Sequence, residues 1–200
     1  MTWRLPVALL ICSLVTAVSP ATALDSARLL PYPPGARTGV AEVDWFLDAM
    51  QQKDAGAVAR RIKLVLRPCD VGPYGPACRD GETPGPRVRA FQTFPNCEAS
   101  WLREDSAEEV AERFVTGSVR RLFAVAAVSA HRPQLAPRYS VLFVLPSRPH
   151  PLTSSVWLDG QGRVAVIHFV QCAARPCEAL GYESTAEGPL LLPPRSPCPA

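Results

Sequence analysis

The chain has 200 residues with 21 basic and 18 acidic side chains, which gives a formal charge of +3 at neutral pH. The two signs alternate along the sequence without a basic stripe, and this argues against a nucleic-acid partner. The 12 glycines and 22 prolines are too few for a low-complexity chain. The length is sufficient for one folded domain with its own core.

Residues 1–23 have the features of a secretory signal peptide. One positive charge at Arg4 precedes an apolar run that ends at Val18, and a small-residue sequence follows as far as Ala23. This pattern predicts cleavage after Ala23 and export from the cytoplasm. The apolar run contains Pro6 and is shorter than the roughly 20 residues that span a bilayer, so we expect no membrane span after signal removal.

The chain has seven cysteines, and removal of the signal discards Cys12. The remaining even number predicts three disulfides, since an exported chain meets an oxidising compartment and the spacings lack the paired C-x-x-C geometry of a metal site. Six cysteines permit about 15 pairings, of which closure of near neighbours favours one: Cys69 with Cys78, Cys172 with Cys177, and Cys97 with Cys198.

Two helices are predicted near the start of the mature chain. Residues 24–37 are rich in proline and predict an extended lead-in to a domain that covers residues 38–171. From Val40 to Met50 apolar residues recur at three- and four-residue steps, which indicates an amphipathic helix. Asp54 stands where the N-cap of a second, adjoining helix is expected.

A long loop and a third helix follow. Residues 67–87 are dense in glycine and proline, which predicts an irregular loop stapled by cysteines. Residues 88–94 indicate a short strand. A capping box that starts at Ser106 predicts a helix that Gly117 ends.

Three or four strands are predicted after this helix. In the first two, both alternating sets of residues are apolar, so both faces of the sheet must be covered. Helices would cover one face, and a ligand, a tail or a second subunit the other. The predicted strands are residues 121–129, 139–146, 155–159 and 163–171, with a glycine-rich hairpin turn between the last two.

Residues 172–200 predict an irregular Cys/Pro-rich tail clamped by disulfides.

The opening segment at residues 43–59, V-D-W-F-L-D-A-M-Q-Q-K-D-A-G-A-V-A, and the order of elements resemble the nuclear transport factor 2-like superfamily. The cysteine-containing stretches at 68–69, 78–82 and 97–98 look like a group of uncharacterised exported bacterial members. The resemblance covers residues 38–171 and implies an α+β fold in which a curved antiparallel sheet wraps around about three N-terminal and central helices, in the shape of a cone with disulfide-stapled loops and tail. It also implies a pocket inside the cone and a homodimer through the sheet.

Catalytic members of this superfamily use a pocket carboxylate or a His–Asp pair, and His168 is the candidate catalytic residue here. Strand alternation puts it on the face of Val164, Val166 and Val170, which we expect to line the cone. An apolar pocket disfavours the charged form of histidine, so that His168 could act as a base. The alternative is a histidine packed in the sheet or a dimer face with one satisfied nitrogen.

Four carboxylates have two interpretations each. Asp44 and Asp48 share a helix face, either as a paired acid and base or as part of a solvated surface. Glu82 and Glu98 lie in or beside the cysteine-rich loops, where they bind loop amides or close over a pocket mouth.

The aromatic side chains fit either an apolar cavity for a hydrophobic small molecule or an ordinary core. No hydrolase elbow, zinc motif or phosphate-binding glycine loop occurs, so no cofactor or metal is expected. The candidate ligand-binding residues are Trp45, Tyr139, Phe143, Trp157, Glu82 and Glu98.

These features predict a secreted or cell-envelope, non-catalytic binding domain for a small apolar ligand or a protein partner. One alternative is an isomerase- or cyclase-like enzyme that uses a pocket histidine or carboxylate. Another is a structural or interaction module of the cell envelope, which a closed interior would favour. An interior that is open around polar groups would favour ligand binding or catalysis.

Overall fold

The computed structural model describes residues 30–128, 135–146, 151–170, 176–183, 189–196 and 198. The signal peptide predicted at residues 1–23 and Cys172 lie outside these ranges, so export and cleavage stay predictions. None of the helices in the described ranges combines the length and the apolar character that crossing a bilayer requires.

Three helices lie before or within the sheet: α1 (Ala41–Gln52), α2 (Ala55–Arg60) and α3 (Ala107–Thr116). The predicted junction of the first two is confirmed. Lys53 ends α1 in the left-handed region with φ 56°, and the Asp54 side chain caps α2 by accepting a 2.8 Å hydrogen bond from the backbone N–H of Ala57.

The predicted capping box of α3 is wrong, although the helix itself is present and Gly117 is its C-cap. A 3₁₀ turn at Glu104–Ser106 leads into α3. Ser106 therefore has helical backbone angles and makes no side-chain cap hydrogen bond, because a capping side chain normally needs an extended backbone at that position.

The described residues form one open, eight-stranded sheet in the order β1-β2-β7-β6-β5-β4-β8, with β3 paired to β2. The α+β class is confirmed, but the expectation of a wholly antiparallel sheet is wrong, because β2 and β7 run parallel. A long crossover containing α3 joins these two strands, and a parallel pair requires such a connection. The strands are β1 (Val65–Pro68), β2 (Arg87–Phe94), β3 (Ser100–Arg103), β4 (Arg121–Ala127), β5 (Pro137–Leu145), β6 (Leu152–Asp159), β7 (Val164–His168) and β8 (Leu190–Leu192).

The helices pack on one face of this sheet. Phe46 of α1, Val58 of α2 and Phe114 of α3 are fully buried and share a cluster with Val141 and Phe143 of β5. Fully burying an aliphatic or aromatic side chain contributes about 1.5–3 kcal/mol. This helix-facing core therefore fixes the three helices on the sheet.

The C-terminal tail covers part of the other face, and the expectation that it is irregular is wrong. It contains a helix, α4 (Pro176–Glu183), and the strand β8, which pairs with β4. Ala179 and Leu180 of α4 are buried against Phe123, Leu142 and Val144. Of the three expected covers for this face, the tail is therefore the one seen here.

Two disulfides are described in full. The predicted bond between Cys69 and Cys78 is confirmed, but Cys177 is bonded to Cys198. The predicted pairs Cys172–Cys177 and Cys97–Cys198 are therefore wrong, because the fold of the tail, rather than distance along the chain, brings Cys198 to α4. Cys97 is also disulfide-bonded. These bonds fit an oxidising compartment.

The hairpin turn between β6 and β7 is present where the sequence predicts it, and it lies directly on α1. Gly162 adopts φ +70°, where a side chain is strained. A Cβ at this position would lie 2.7 Å from Trp45 Nε1 and 2.9 Å from the carbonyl oxygen of Glu42. The glycine is therefore required by both the backbone and the contact.

Asp159 organises this turn from a buried position, with only 1% of its side chain exposed. Its carboxylate accepts hydrogen bonds from the backbone N–H groups of Gln161 (3.0 Å) and Arg163 (2.9 Å). It also forms ion pairs with Arg163 (2.8 Å) and with Lys63 (3.3 Å), which in turn donates to the carbonyl oxygen of Leu135. Burial by itself raises the pKa of Asp159, but the hydrogen bonds and charge of Arg163 outweigh it and lower the pKa.

We predict that Asp159→Asn lowers the free energy of unfolding by about 2–4 kcal/mol at pH 7, because it leaves Lys63 buried without its charge partner. Because the folded-state pKa is depressed, the carboxylate stabilises the fold above its unfolded pKa of about 3.9 and loses this effect as the pH falls through the folded value. The variant should therefore lose less stability than the wild type in acid. Urea unfolding at pH 7 and pH 3 measures both effects.

Asp48→Asn is the matched control, since Asp48 pairs with Arg37 at the exposed surface. A surface pair of this kind contributes about 0–1 kcal/mol. Equal losses in the two variants would contradict the structural role of Asp159.

Candidate functional site

A cavity of about 450 Å³ lies where the C-terminal ends of α1 and α3 meet the sheet. Leu47 and Met50 of α1, Val115 of α3, Leu122 of β4 and Phe143 of β5 form its apolar wall. The interior beneath this wall is filled, since Phe143 packs edge-on against Phe46 and Phe114 with ring centroids 6.3 Å apart in each pair. Aromatic side chains therefore fill most of the space between the helices and the sheet, and a cavity remains at one end.

The lead-in segment, residues 31–34, forms a further wall of the cavity. The backbone N–H of Tyr32 donates to the carbonyl oxygen of Leu122 (3.1 Å), and its hydroxyl donates to the carbonyl oxygen of Pro193. Arg195 donates to the carbonyl oxygen of Pro31 (2.9 Å). Contacts with both the sheet and the tail thus hold this wall in place.

Arg120 is the most unusual polar residue of the cavity. Its Nε donates to the hydroxyl of the fully buried Ser154 (3.3 Å), and its Nη1 donates to the carbonyl oxygens of Phe114 and Ser118. The guanidinium also lies 4.1 Å above the Phe114 ring. All these partners are neutral, and no carboxylate in the described part of the chain forms an ion pair with Arg120.

The cavity has a positive electrostatic character. Burial, and then the charge of Arg113, lower the pKa of Arg120 to about 10, so the side chain is still protonated at neutral pH. Lys53 and Arg121 also line the cavity, whereas no aspartate or glutamate is among its described lining residues. A partly buried cation without a negative partner is costly, and such a site favours an anion.

The lining provides groups for binding but none suited to proton transfer near neutral pH. Burial raises the pKa of the Tyr32 hydroxyl against the opposing charge of Arg195, so this group is neutral. Efficient general acid–base catalysis requires a group whose pKa is near the working pH. Among the described lining residues there is no histidine or carboxylate of this kind.

His168 lies on the opposite face of the sheet from this cavity. His168 is only 7% exposed. Its ring stacks on the Phe94 ring with centroids 4.2 Å apart, and its centroid lies 5.0 Å from that of the Trp157 ring. A β-bulge in the pairing of β6 with β7 interrupts the alternation between residues 164 and 166. The expectation that His168 shares a face with Val164 and lines the interior is therefore wrong. Its catalytic role stays a prediction, and this placement does not support it.

The bulge explains this result residue by residue. Val164 and Ile167 belong to the helix-facing core, whereas Ala165 and Val166 belong to the cluster of Phe94 on the other face. Two successive residues thus point away from the helices, and a two-residue period counted from Val164 assigns His168 to the wrong side.

The predicted carboxylates have local structural partners. The Glu82 carboxylate accepts a hydrogen bond from the Arg79 backbone N–H (2.8 Å) and pairs with Arg103 (2.9 Å). The amide hydrogen bond is the largest cause of its lowered pKa. Glu98 hydrogen-bonds the Tyr74 hydroxyl, which raises the pKa of Tyr74. Neither glutamate lines the cavity.

Asp44 and Asp48 do not form an acid–base pair. Asp44 accepts hydrogen bonds from the backbone N–H groups of Thr38 (2.7 Å) and Gly39 (3.1 Å), which fixes the chain before α1. Asp48 pairs with Arg37. Both residues therefore act in the local structure.

Of the aromatic candidates, only Phe143 reaches the cavity. Trp45 lies under the guanidinium of Arg61, 4.3 Å from it, and lines a separate and more open depression. Tyr139 packs beside the helix-facing core, and Trp157 packs on the opposite face. The structure therefore does not bring the candidate ligand-binding residues together.

Sequence reasoning missed Arg120, Lys53 and Tyr32. The paired arginines at 120 and 121, just before a strand of apolar residues, were the one available signal. Nothing in the local pattern shows that the first of them turns inward.

One group of possible metal ligands exists in the described ranges, and it is not a metal site. Cys69, Cys78 and Glu82 have ligand atoms within 4.8 Å of one another. The two sulfur atoms are joined in a disulfide, so neither is the thiolate that a metal binds.

Comparison of the chain with protein-family models, with curated proteins and with solved structures gives no match. The geometry of the cavity is therefore the basis for assigning a function.

We predict that His168→Ala lowers the free energy of unfolding by about 2 kcal/mol or more, because it leaves a cavity beside two buried aromatic rings. Thermal and urea unfolding measure the loss. The control is Val71→Ala, at a residue 82% exposed, which should change stability by less than about 0.5 kcal/mol. An unchanged melting temperature for His168→Ala would instead favour the catalytic alternative.

Proposed function

We propose that the protein is an exported, non-catalytic binding domain that holds a small apolar ligand in the cavity between α1, α3 and the sheet. The apolar wall of this cavity is the observation that carries the proposal. Small-molecule sites are typically concave, largely apolar and of about 300–1,000 Å³, and the cavity of about 450 Å³ falls in this range.

Two features support a place outside the cytoplasm. The first 23 residues read as a secretory signal peptide. Disulfides persist in extracellular and envelope compartments and are rare in the cytosol, and this chain contains bonds at Cys69–Cys78 and Cys177–Cys198.

We further propose that the domain belongs with the nuclear transport factor 2-like proteins that its opening segment resembles. The order of two helices, three strands, a third helix and a run of antiparallel strands supports this assignment. So does the cavity between helices and sheet, which the resemblance implies. Because such folds carry many functions, the assignment adds nothing on the ligand itself.

The cavity favours ligand binding over the other functions considered. The space beneath the cavity is filled, but a structural module does not need the open cavity above it. An enzyme needs a base, and none is among the described lining residues. A homodimer through the sheet is not part of the proposal, since α4 already covers Leu142 and Val144 on the outer face.

We predict that the neutral dye N-phenyl-1-naphthylamine binds the mature protein saturably, with one site, and gains fluorescence as it leaves water. Met50→Trp fills the cavity from α1, where Met50 lines it, and should weaken dye binding at least tenfold. Fluorescence titration measures the dissociation constant.

Val71→Trp is the matched control, because it adds the same side chain at an exposed residue outside the cavity. Its dissociation constant should equal that of the wild type within a factor of two. Absence of saturable binding to the wild type, or equal binding to both variants, would overturn the proposal.

A further inference from the structure

We propose that the ligand of this cavity is an amphiphile with one negatively charged head group, a carboxylate, which Arg120 binds while the apolar chain lies along the helix-facing wall. This inference rests on the proposed function, since it specifies the chemistry of the ligand for the same cavity.

The charges of the lining select the sign of the ligand. Lys53, Arg120 and Arg121 line the cavity, and none of the lining residues that the structure describes is acidic. Elsewhere in the described structure basic side chains do find carboxylates: Arg163 pairs with Asp159 and Arg103 with Glu82. A cavity whose described charged side chains are all positive repels a cationic ligand and attracts an anionic one.

The hydrogen bonds of Arg120 leave a donor for that anion. A guanidinium has five N–H donors and no acceptor. Nε is bonded to Ser154, and Nη1 has two carbonyl acceptors, from Phe114 and Ser118. In the described part of the chain Nη2 has no acceptor, so its two N–H groups are available to a ligand oxygen.

These same hydrogen bonds hold the guanidinium in place before a ligand arrives. Phe114 lies in the last turn of α3, whose carbonyl oxygens carry a partial negative charge that favours a cation. Contact with the Phe114 ring on one side and with Ser154 on the other restricts the side chain further. A positioned donor loses less conformational entropy on binding than a mobile one.

The apolar residues that share the cavity with Arg120 favour an amphiphile over a simple anion as the ligand. Leu47, Val115, Leu122 and Phe143 line the same cavity and offer no hydrogen bond to a second polar group. Gln51, Thr116 and Ser118, which also line it, are exposed to solvent. Lys53 and Arg121 are exposed at the rim, where solvent and salt screen their charges. One head group at Arg120 and an apolar chain beyond it therefore satisfy the lining.

The test compares three ligands that share one eight-carbon chain: octanoate, 1-octanol and octylammonium. Each is titrated calorimetrically into the mature protein and, separately, against bound N-phenyl-1-naphthylamine. We expect octanoate to bind at least tenfold more tightly than 1-octanol, because a hydrogen bond to a charged group contributes about 1.5–3 kcal/mol, a factor of roughly 10 to 100. Octylammonium should bind more weakly than either, because the positive charges of the cavity repel it.

Arg120→Gln should remove this preference, so that octanoate weakens at least tenfold while 1-octanol changes less than twofold. Arg89→Gln is the matched control, since Arg89 pairs with Glu104 and lies outside the cavity, and it should keep the wild-type ratio. The wild-type ratio by itself decides the inference if Arg120→Gln does not fold.

The outcomes separate the two proposals. If 1-octanol and the dye bind but octanoate binds no more tightly, the cavity is a neutral apolar site and the carboxylate inference is overturned alone. Tighter binding of octylammonium has the same consequence. If the dye does not bind the wild type saturably, the proposed function is overturned and the inference with it.

Discussion

The central strands carry buried side chains on both faces, and the need to cover both faces is the constraint on which the rest of the structure depends. In β5, Val141 and Phe143 face the helices while Leu142 and Val144 face the other way. Apolar surface left in water on either face would cost about 25 cal/mol per Å². Three helices cover the first face, and the disulfide-bonded tail covers part of the second.

This constraint brings the two ends of the described chain together. The tail lies on the sheet through α4 and extends it through β8, and from there it contacts the lead-in at Pro31 and Tyr32. The bond between Cys177 and Cys198 closes the tail on itself. The lead-in can therefore act as a fixed wall of the cavity although its prolines form no regular structure.

The cavity exists because the helical cover is incomplete. Beyond the ends of α1 and α3 the interior is lined instead by the lead-in and by Arg120, whose partners among the described residues are neutral. An interior that ended in apolar groups alone would select ligands by shape. In the binding site that we propose, the arginine would add a directional, charged contact to this apolar wall.

Local patterns in the sequence determined α1, the start of α2 and their junction, because helix periodicity and the Asp54 cap depend on residues a few positions apart. They also determined the hairpin turn at Gly162 and the disulfide between Cys69 and Cys78. The short strands β1, β3 and β8 escaped, because a strand of three or four residues has too few positions to show a period of two.

Tertiary structure alone decided the partner of Cys177, the face of His168 and the inward turn of Arg120. A bulge reversed the alternation that would place His168, and the fold of the tail chose Cys198. Arg120 meets Ser154, 34 residues along the chain. Local patterns indicate the longer elements and the tight turns, but contacts between distant residues set which face is buried and where a charge comes to lie, since those depend on how the elements pack together.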